Sequence, residues 1–169
     1  IKAEKKPELS VVIAAFNEEG NIHDLTLRIE KVLKAENIPY ELIYVVAGKD
    51  KTIDIVRELG KTLPIKSFYN EQPGGLGADF KKGFAAVSPT AKYVLTMDAD
   101  LNHHPEQIPS LLKEMQKKNT DIIVGSRCAE GGVTISIPAW KRGVSKIANA
   151  VFRIITNIPI EDKTSNFRL

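Results

Sequence analysis

The sequence is poor in cysteine, in net charge and in long apolar runs, and each shortage removes a class of protein. Cys128 is the single cysteine among 169 residues, which rules out an internal disulfide and a multi-cysteine zinc site and fits a reducing compartment. With Arg127 beside it but no histidine nearby in sequence, Cys128 reads as a small buried hydrophobe rather than a nucleophile. No run approaches the roughly 18 to 20 apolar residues that a membrane span requires. Residues 1–8 are a charged lead-in without the apolar stretch of a signal peptide. Lys plus Arg is 24 against 21 Asp plus Glu, and the net charge of +3 is too mild to argue for nucleic acid as a partner. Internal repeats and low-complexity segments are missing as well.

What is present is the composition of an ordinary globular domain able to bury a core: 43% hydrophobic and 27% charged, with 11 Gly and 9 Pro. At about one domain per 150 residues, residues 1–169 are expected to form one domain. The chain opens at Ile1 without Met and stops at Phe167-Arg168-Leu169 without a turn or cap, so the natural protein is expected to continue.

Residues 9–15 (LSVVIAA) form a short β-branched run followed by Asn17, the pattern of a buried parallel strand ending in a loop. Glu18 and Glu19 then open a helix in which Leu25, Ile29, Val32 and Leu33 recur at helical spacing through Ala35. A strand over 40–46, a helix over 52–62, a strand over 65–69, a helix over 77–87 and a strand over 93–97 follow. A helix over 106–117, a strand over 121–125, a Gly-rich loop and a last helix from about Ala139 to Thr156 complete the chain. This alternation predicts an α/β fold with a mostly parallel sheet and helices on both faces. Ligands of such folds bind beyond the carboxyl ends of the strands.

The stretch Tyr93-Val-Leu-Thr-Met-Asp98-Ala-Asp100-Leu-Asn102-His103-His104-Pro105 delivers two carboxylates, one residue apart, from a strand into a loop. Hard cations such as Mg2+ and Mn2+ take oxygen ligands and share their other positions with water and phosphates, so Asp98 and Asp100 suit a metal-diphosphate site. Loop capping by Asp and Asn is the plainer alternative. Gly74-Gly75-Leu76-Gly77 leads into a helix, where glycines admit a ligand to the backbone and a helix N-terminus favours anions. It lacks the Lys of a P-loop, and Asp79, Lys81 and Lys82 read as a solvated helix face.

At these residues the chain resembles the GT-A fold glycosyltransferases of family two, and within them the dolichyl-phosphate mannose synthase and dolichyl-phosphate glucose synthase branch. Five stretches carry the likeness: Ser10-Val-Val-Ile-Ala-Ala-Phe-Asn-Glu-Glu-Gly-Asn-Ile22, the Gly75-Leu76-Gly77 turn, and Met97-Asp-Ala-Asp-Leu-Asn-His-His-Pro105. Ile123-Val-Gly-Ser-Arg127 with Gly131-Gly132, and the Asp162-x-x-Ser165-x-Phe167-Arg168 ending, complete the set. The resemblance implies that Asn17 and Glu18 lie against the nucleotide and that Asp98 and Asp100 serve the metal and diphosphate. It places Asn102 near the metal, where the branch often has Gln or Ser, and Arg168 against phosphate. Cap and first-turn acid remain the plain reading of Asn17 and Glu18.

The chain departs from that pattern at three places. After the second strand it reads Val46-Ala47-Gly48-Lys49 where the family reads Asp-Asp-Gly-Ser, so the carboxylate that contacts the base is missing and Asp50 is the candidate substitute. Ala14 and Ala15 stand where the family often has Pro and Thr, and Asn166 replaces the usual Gly before Phe167.

Arg127 ends the fifth predicted strand, and Lys141, Arg142 and Lys146 lie along the first turns of the last helix, with Arg153 further on. Guanidinium groups bind phosphate through paired hydrogen bonds and keep their charge when partly desolvated. A solvated helix face is the plainer reading of this cluster taken alone. Trp140, Val144, Ile147, Val151, Ile154 and Ile158 recur between the charges, which suits core packing or a membrane interface. Beside a metal-diphosphate loop, the combination fits an acceptor that is itself a lipid phosphate. His23 reads as a surface residue and His103 and His104 as structural; none is assigned as a base.

The resulting expectation is an inverting, metal-dependent hexosyltransferase that uses Mg2+ or Mn2+. It would move mannose or glucose from a nucleotide diphosphate sugar, GDP-mannose or UDP-glucose, to a dolichyl or polyprenyl phosphate. Asp98, Asp100 and Arg127 carry the chemistry; Asn17, Glu18, Asp50, Gly77, Arg142, Lys146 and Arg168 bind substrates; Asp98, Asp100 and Asn102 face the metal. A cytoplasmic location at the cytoplasmic face of a membrane is expected, with the full-length form anchored there. The alternatives are a family-two transferase with a sugar hydroxyl acceptor, and a degenerate nucleotide-sugar-binding module without activity.

Overall fold

Four β-branched runs become strands: β1 (Leu9–Phe16), β2 (Tyr40–Ala47), β3 (Ile65–Asn70) and β4 (Tyr93–Asp98). They pair in parallel in the order β3-β2-β1-β4, with Leu9 opposite both Tyr40 and Tyr93. The computed structural model describes residues 6–71, 74–118, 120–125 and 165–169. Helices α1 (Ile22–Ala35), α2 (Thr52–Leu59), α3 (Leu76–Ala85) and α4 (Ile108–Lys118) connect the strands, α4 being preceded by a 3-10 turn at Pro105–Gln107.

Side chains alternate across a strand, so β1 supplies both faces. Leu9, Val11, Ile13 and Ala15 join Leu42, Tyr44, Val46, Leu95 and Met97 in one core under α1, α2 and α4. Ile22, Leu25, Ile29 and Leu33 of α1 complete it. Tyr44 is fully buried there and its hydroxyl lies 2.7 Å from Thr26 Oγ1, which itself donates to the Ile22 carbonyl at 2.6 Å, so the polar atoms of this core are partnered. On the opposite face α3 packs against β1 and β2 through Gly83, where a Cβ would sit 2.3 Å from Val12 Cγ1. Helices therefore cover both faces, as the alternation predicts.

Near the amino ends of the strands, Glu41 is buried with its charge satisfied. Ser10 Oγ and the Ser88 amide donate to Oε1 at 2.6 and 2.7 Å, and Lys66 Nζ lies 2.8 Å from Oε2. Burial alone would raise the Glu41 carboxyl, but the hydrogen bonds from Lys66, Ser10 and Ser88 and the Lys66 charge outweigh it and hold the group below the ordinary range.

Several expectations shift. The stretch 121–125 is not a parallel strand: it makes an isolated bridge at Val124, antiparallel to Arg168, and Arg168 bridges Thr96 of β4 in the same sense. Residues 167–169 thus lie between β4 and residues 123–125, tied by Thr96 N to Arg168 O at 2.8 Å and Ile123 N to Leu169 O at 2.8 Å. Helix α1 starts at Ile22 rather than at Glu18, because residues 17–19 are bonded to the loop after β2 instead. Asp79 and Lys82 are not a solvated face. Asp79 is buried and accepts Asn70 Nδ2 at 2.5 Å, while Lys82 Nζ donates to Asn70 Oδ1 at 2.6 Å, so α3 is pinned to the end of β3. The last predicted helix lies outside the described residues, as does Cys128.

Two stability effects follow. Gly83→Val forces a branched side chain against the stiff Val12 and should cost about 1–3 kcal/mol in urea denaturation. Glu41→Gln should cost about 2 kcal/mol at neutral pH by weakening a charge-assisted network. A depressed carboxyl stabilises the fold above its unfolded value and loses that contribution as the pH falls, so the gap between parent and Gln variant should close below about pH 4.

Candidate functional site

All four strands deliver their carboxyl ends to one rim. The register sets Phe16 opposite Ala47, Ala47 opposite Asn70 and Ala14 opposite Asp98. Asn17, Gly48 and Asp98, read from sequence as site residues or their neighbours, are therefore brought together, with the turn before α3 beyond β3 on the same side.

The loops after β1 and β2 are stitched by reciprocal hydrogen bonds. Asn17 takes a left-handed backbone (φ 55°) that Asn tolerates, and its Oδ1 accepts the Lys49 amide at 2.9 Å. Gly48 has φ 110°, and a Cβ there would fall 2.1 Å from Asn17 Oδ1, so the contact requires glycine on both counts. The Glu18 amide donates to Thr52 Oγ1 at 2.8 Å, the Glu19 amide to Asp50 Oδ2 at 2.9 Å, and the Lys51 amide to Glu19 Oε2 at 3.0 Å. Tyr69 closes the seam from β3 by donating its hydroxyl to the Gly48 carbonyl at 2.7 Å.

Asp50 is placed at the rim with both oxygens on backbone amides, Oδ2 on Glu19 and Oδ1 on Thr52 at 3.1 Å. Desolvation works to raise its carboxyl, and the bonds from Thr52 and Glu19 override it, so the group sits below the usual aspartate range. Glu18 reaches back to accept Asn21 Nδ2 at 2.7 Å. Thr52 and Tyr69 are site-forming residues beyond those expected from the sequence. A signal existed for Thr52, an oxygen donor or acceptor at the first position of a helix behind Asp50; none marks Tyr69, whose partner is a backbone carbonyl in another loop.

The acidic half lies beyond β4. Ala99 is buried, Asp98 half-buried and Asp100 exposed, and Leu101 turns left-handed (φ 60°) while packing on the core. A γ-branched residue held there costs about 1 kcal/mol, which packing of its half-buried side chain on the core offsets. Asn102 is brought to Asp100: its amide donates to Oδ1 at 3.1 Å and its Nδ2 to Oδ2 at 2.5 Å. His103 Nδ1 accepts the Asp98 amide at 3.3 Å, and its ring stacks on Phe167 with centroids 5.2 Å apart. Phe167 in turn lies so close to Gly125 that a Cβ on that glycine would come within 2.5 Å of it.

The following turn is clamped to α1. Arg28 Nε and Nη2 donate to the two Glu106 oxygens at 3.0 and 2.8 Å, and Nη2 lies 3.4 Å from His104 Nδ1. Hydrogen bonding from Arg28 lowers the Glu106 carboxyl, and the same bond raises the guanidinium.

The donor set fits a hard divalent cation shared with a diphosphate. Asp98, Asp100 and Asn102 lie on one loop, Asn102 being bonded to Asp100, and among the described residues no group of three His, Cys, Asp or Glu is placed to hold an ion. Oxygen donors of this kind suit a hard divalent cation, which shares its other positions with phosphate and water. Gly75 (φ 83°) precedes α3, whereas a Cβ at Gly77 would meet nothing within 4 Å, so only Gly75 is demanded by the backbone. Arg168 is exposed and its Nε donates to the Ser165 carbonyl at 2.6 Å. Arg127, Arg142 and Lys146, with Lys141, Arg153 and Asp162, lie outside the described residues. Among the described residues no helix is long and apolar enough to cross a membrane.

Comparison with known proteins bears on this rim. The pattern of Glycosyl transferase family 2 matches residues 10–164. Over 148 residues the chain is 34% identical to a dolichol-phosphate mannosyltransferase of Pyrococcus furiosus, covering 87% of this chain and 41% of that protein. The chain spans less than half the length of the curated relatives it matches. A mannosyltransferase from Pyrobaculum calidifontis, solved in complex with GDP-Man and Mn2+, superposes with a TM-score of 0.61 at 16% identity, over 72% of this chain and 36% of that one. Glucosyl-3-phosphoglycerate synthase of M. tuberculosis superposes with a TM-score of 0.65 at 20% identity, over 96% of this chain and 56% of that one.

The seam generates its own test. Gly48→Ala sets a Cβ against Asn17 Oδ1 and strains the backbone, and should cost about 1–3 kcal/mol. The Lys49 amide, freed from Asn17, should exchange with deuterium faster in the variant, while amides in the middle of β1 keep their protection.

Proposed function

This chain belongs to glycosyltransferase family 2 and has the GT-A fold, and from that premise we propose that it moves a hexose, mannose or glucose, from a nucleotide diphosphate sugar to a polyprenyl or dolichyl phosphate with inversion. The carrying observation is the placement of Asp98 and Asp100 at the end of β4, beside the Asn17–Lys49 seam. The identity with the Pyrococcus dolichol-phosphate mannosyltransferase supports the acceptor class.

In this reading the nucleotide lies along the loops after β1 and β2, where Asn17, Glu18 and Asp50 hold the two backbones in register. Asp98, Asp100 and Asn102 would hold Mg2+ or Mn2+, which when bound supplies neutralising charge to the leaving diphosphate. The acceptor oxygen forms a bond to the anomeric carbon from the face opposite the diphosphate as the carbon-oxygen bond to the diphosphate breaks, and the nucleoside diphosphate departs. A phosphate monoester is already anionic near neutral pH, its second pKa being about 6. It needs no general base, so no residue is assigned that role. Arg127, Arg142, Lys146 and Arg168 are the cations proposed to receive the acceptor phosphate, and Gly77 lies in the turn that would admit an anion to the backbone. The activity is placed at the cytoplasmic face of a membrane, where such acceptors lie. GDP-mannose and UDP-glucose are both candidate donors, because Val46 and Ala47 replace the acidic pair expected to read the base.

The loss of that pair also favours a second reading, a nucleotide-sugar-binding module without turnover. Transfer assays with GDP-mannose or UDP-glucose, Mn2+ and polyprenyl phosphate separate the two: binding without product sinks the transferase reading. Asp100→Ala is expected to lose metal-dependent donor binding with its melting temperature unchanged, and retained binding would overturn the assignment. Arg127→Ala is expected to weaken use of the phosphate acceptor at least tenfold more than donor binding, an effect of about 1.4 kcal/mol. Transfer to a free sugar hydroxyl in preference to polyprenyl phosphate would replace the acceptor class.

A further inference from the structure

The Asp98 carboxylate meets a side chain that reaches it from a distant part of the sequence. Asn166 Nδ2 lies 3.3 Å from Oδ1 and 3.2 Å from Oδ2 of Asp98, a shared donor across both oxygens. Asn166 is itself anchored. Its carbonyl accepts Thr96 Oγ1 at 2.7 Å, its neighbours Ser165 and Phe167 are buried, and Arg168 exchanges backbone bonds with Thr96 at 2.8 and 3.2 Å. Thr96 and Asp98 are two residues apart on β4 and so present side chains to one face, the face along which Asn166 runs. The amide is therefore fixed relative to the strand that carries its acceptor. The opposite constraint acts on the same aspartate's backbone, whose amide donates to His103 Nδ1.

We infer that Asn166 is a positioning residue for the cation-diphosphate site: its side-chain amide fixes the rotamer of Asp98, so that the carboxylate meets a divalent cation already oriented. This rests on the reading of Asp98 and Asp100 as cation ligands. Asn166 departs from the family pattern, Asn standing in place of Gly, and a glycine there has no side-chain amide to donate to Asp98. Carboxylates that bind metals are commonly held by such outer hydrogen bonds, and loss of one weakens metal affinity by about 10–100-fold.

The test uses the full natural chain without donor sugar. Mn2+ is titrated calorimetrically into the parent, Asn166→Gly, Asn166→Ser and Asp100→Ala, and the bound Mn2+ is examined by electron paramagnetic resonance. Asn166→Gly and Asn166→Ser should both bind Mn2+ about 10–100-fold more weakly than the parent, with altered zero-field splitting and melting temperatures within a degree or two of it. The serine variant keeps a side chain and a polar atom but not the amide's reach, so it preserves the comparison if the glycine variant folds poorly. Asn166 variants that bind Mn2+ as the parent does, with the same spectrum, overturn the inference while leaving the cation site standing. A parent that binds no Mn2+, or an Asp100→Ala variant that binds it equally well, overturns the cation reading and this inference with it.

Discussion

Strand β1 is hydrogen-bonded along both edges, to β2 and β4, and seven of its eight residues are buried. Its position in the middle of the sheet leaves it no register freedom: a shift by one residue would turn Leu9, Val11, Ile13 and Ala15 away from their core and aim Ser10 into it. Because the flanking strands are registered to β1, the same burial that fixes the core also fixes where Asn17, Gly48 and Asp98 emerge. The geometry of the rim is inherited from apolar packing several residues upstream, and none of the rim residues has to supply the energy that places them.

The rim has two parts held by different forces. Between the loops after β1 and β2 the contacts are side chains on backbone amides, short in reach: Asn17 on Lys49, Thr52 on Glu18, Asp50 on Glu19. Around Asp98 and Asp100 the ties come from charged and aromatic groups on separate elements, with Arg28 on Glu106 and His103 stacked on Phe167. The first part makes a stiff wall. The second holds two carboxylates, each taking an amide donor, Asp100 from Asn102 and Asp98 from Asn166.

Much of this was legible in the sequence for a plain reason. Continuous runs such as LSVVIAA and the turn signals between them encode a parallel sheet locally, and Asp98 and Asp100 inherit their place from the strand before them. Likeness to a family in the order of its motifs marked the other candidate residues of the site. What escaped was non-local. The stretch 121–125 carries a strand-like run, but its partner is a three-residue segment more than forty positions on, and no local pattern names that pairing. Asp79 and Lys82 looked solvated because helical spacing is blind to Asn70, which lies at the end of another element. The role of Asp50 in closing two loops is likewise a matter of what the fold sets beside it.

The insertion of residues 167–169 beside β4 has a consequence in time as well as in space. Thr96 and Arg168 are 72 positions apart, so during synthesis β1 to β4 and their helices can emerge and pack well before the segment that completes the acidic loop exists. Ordering that late segment carries a loop-closure cost that grows only slowly with length, while contacts of such long sequence separation form late in folding. The sheet can thus be native while Asp98 still lacks Asn166 and His103 still lacks Phe167. A nascent chain released early would keep the sheet but lack the Phe167 and Leu169 part of its core and possess an immature rim.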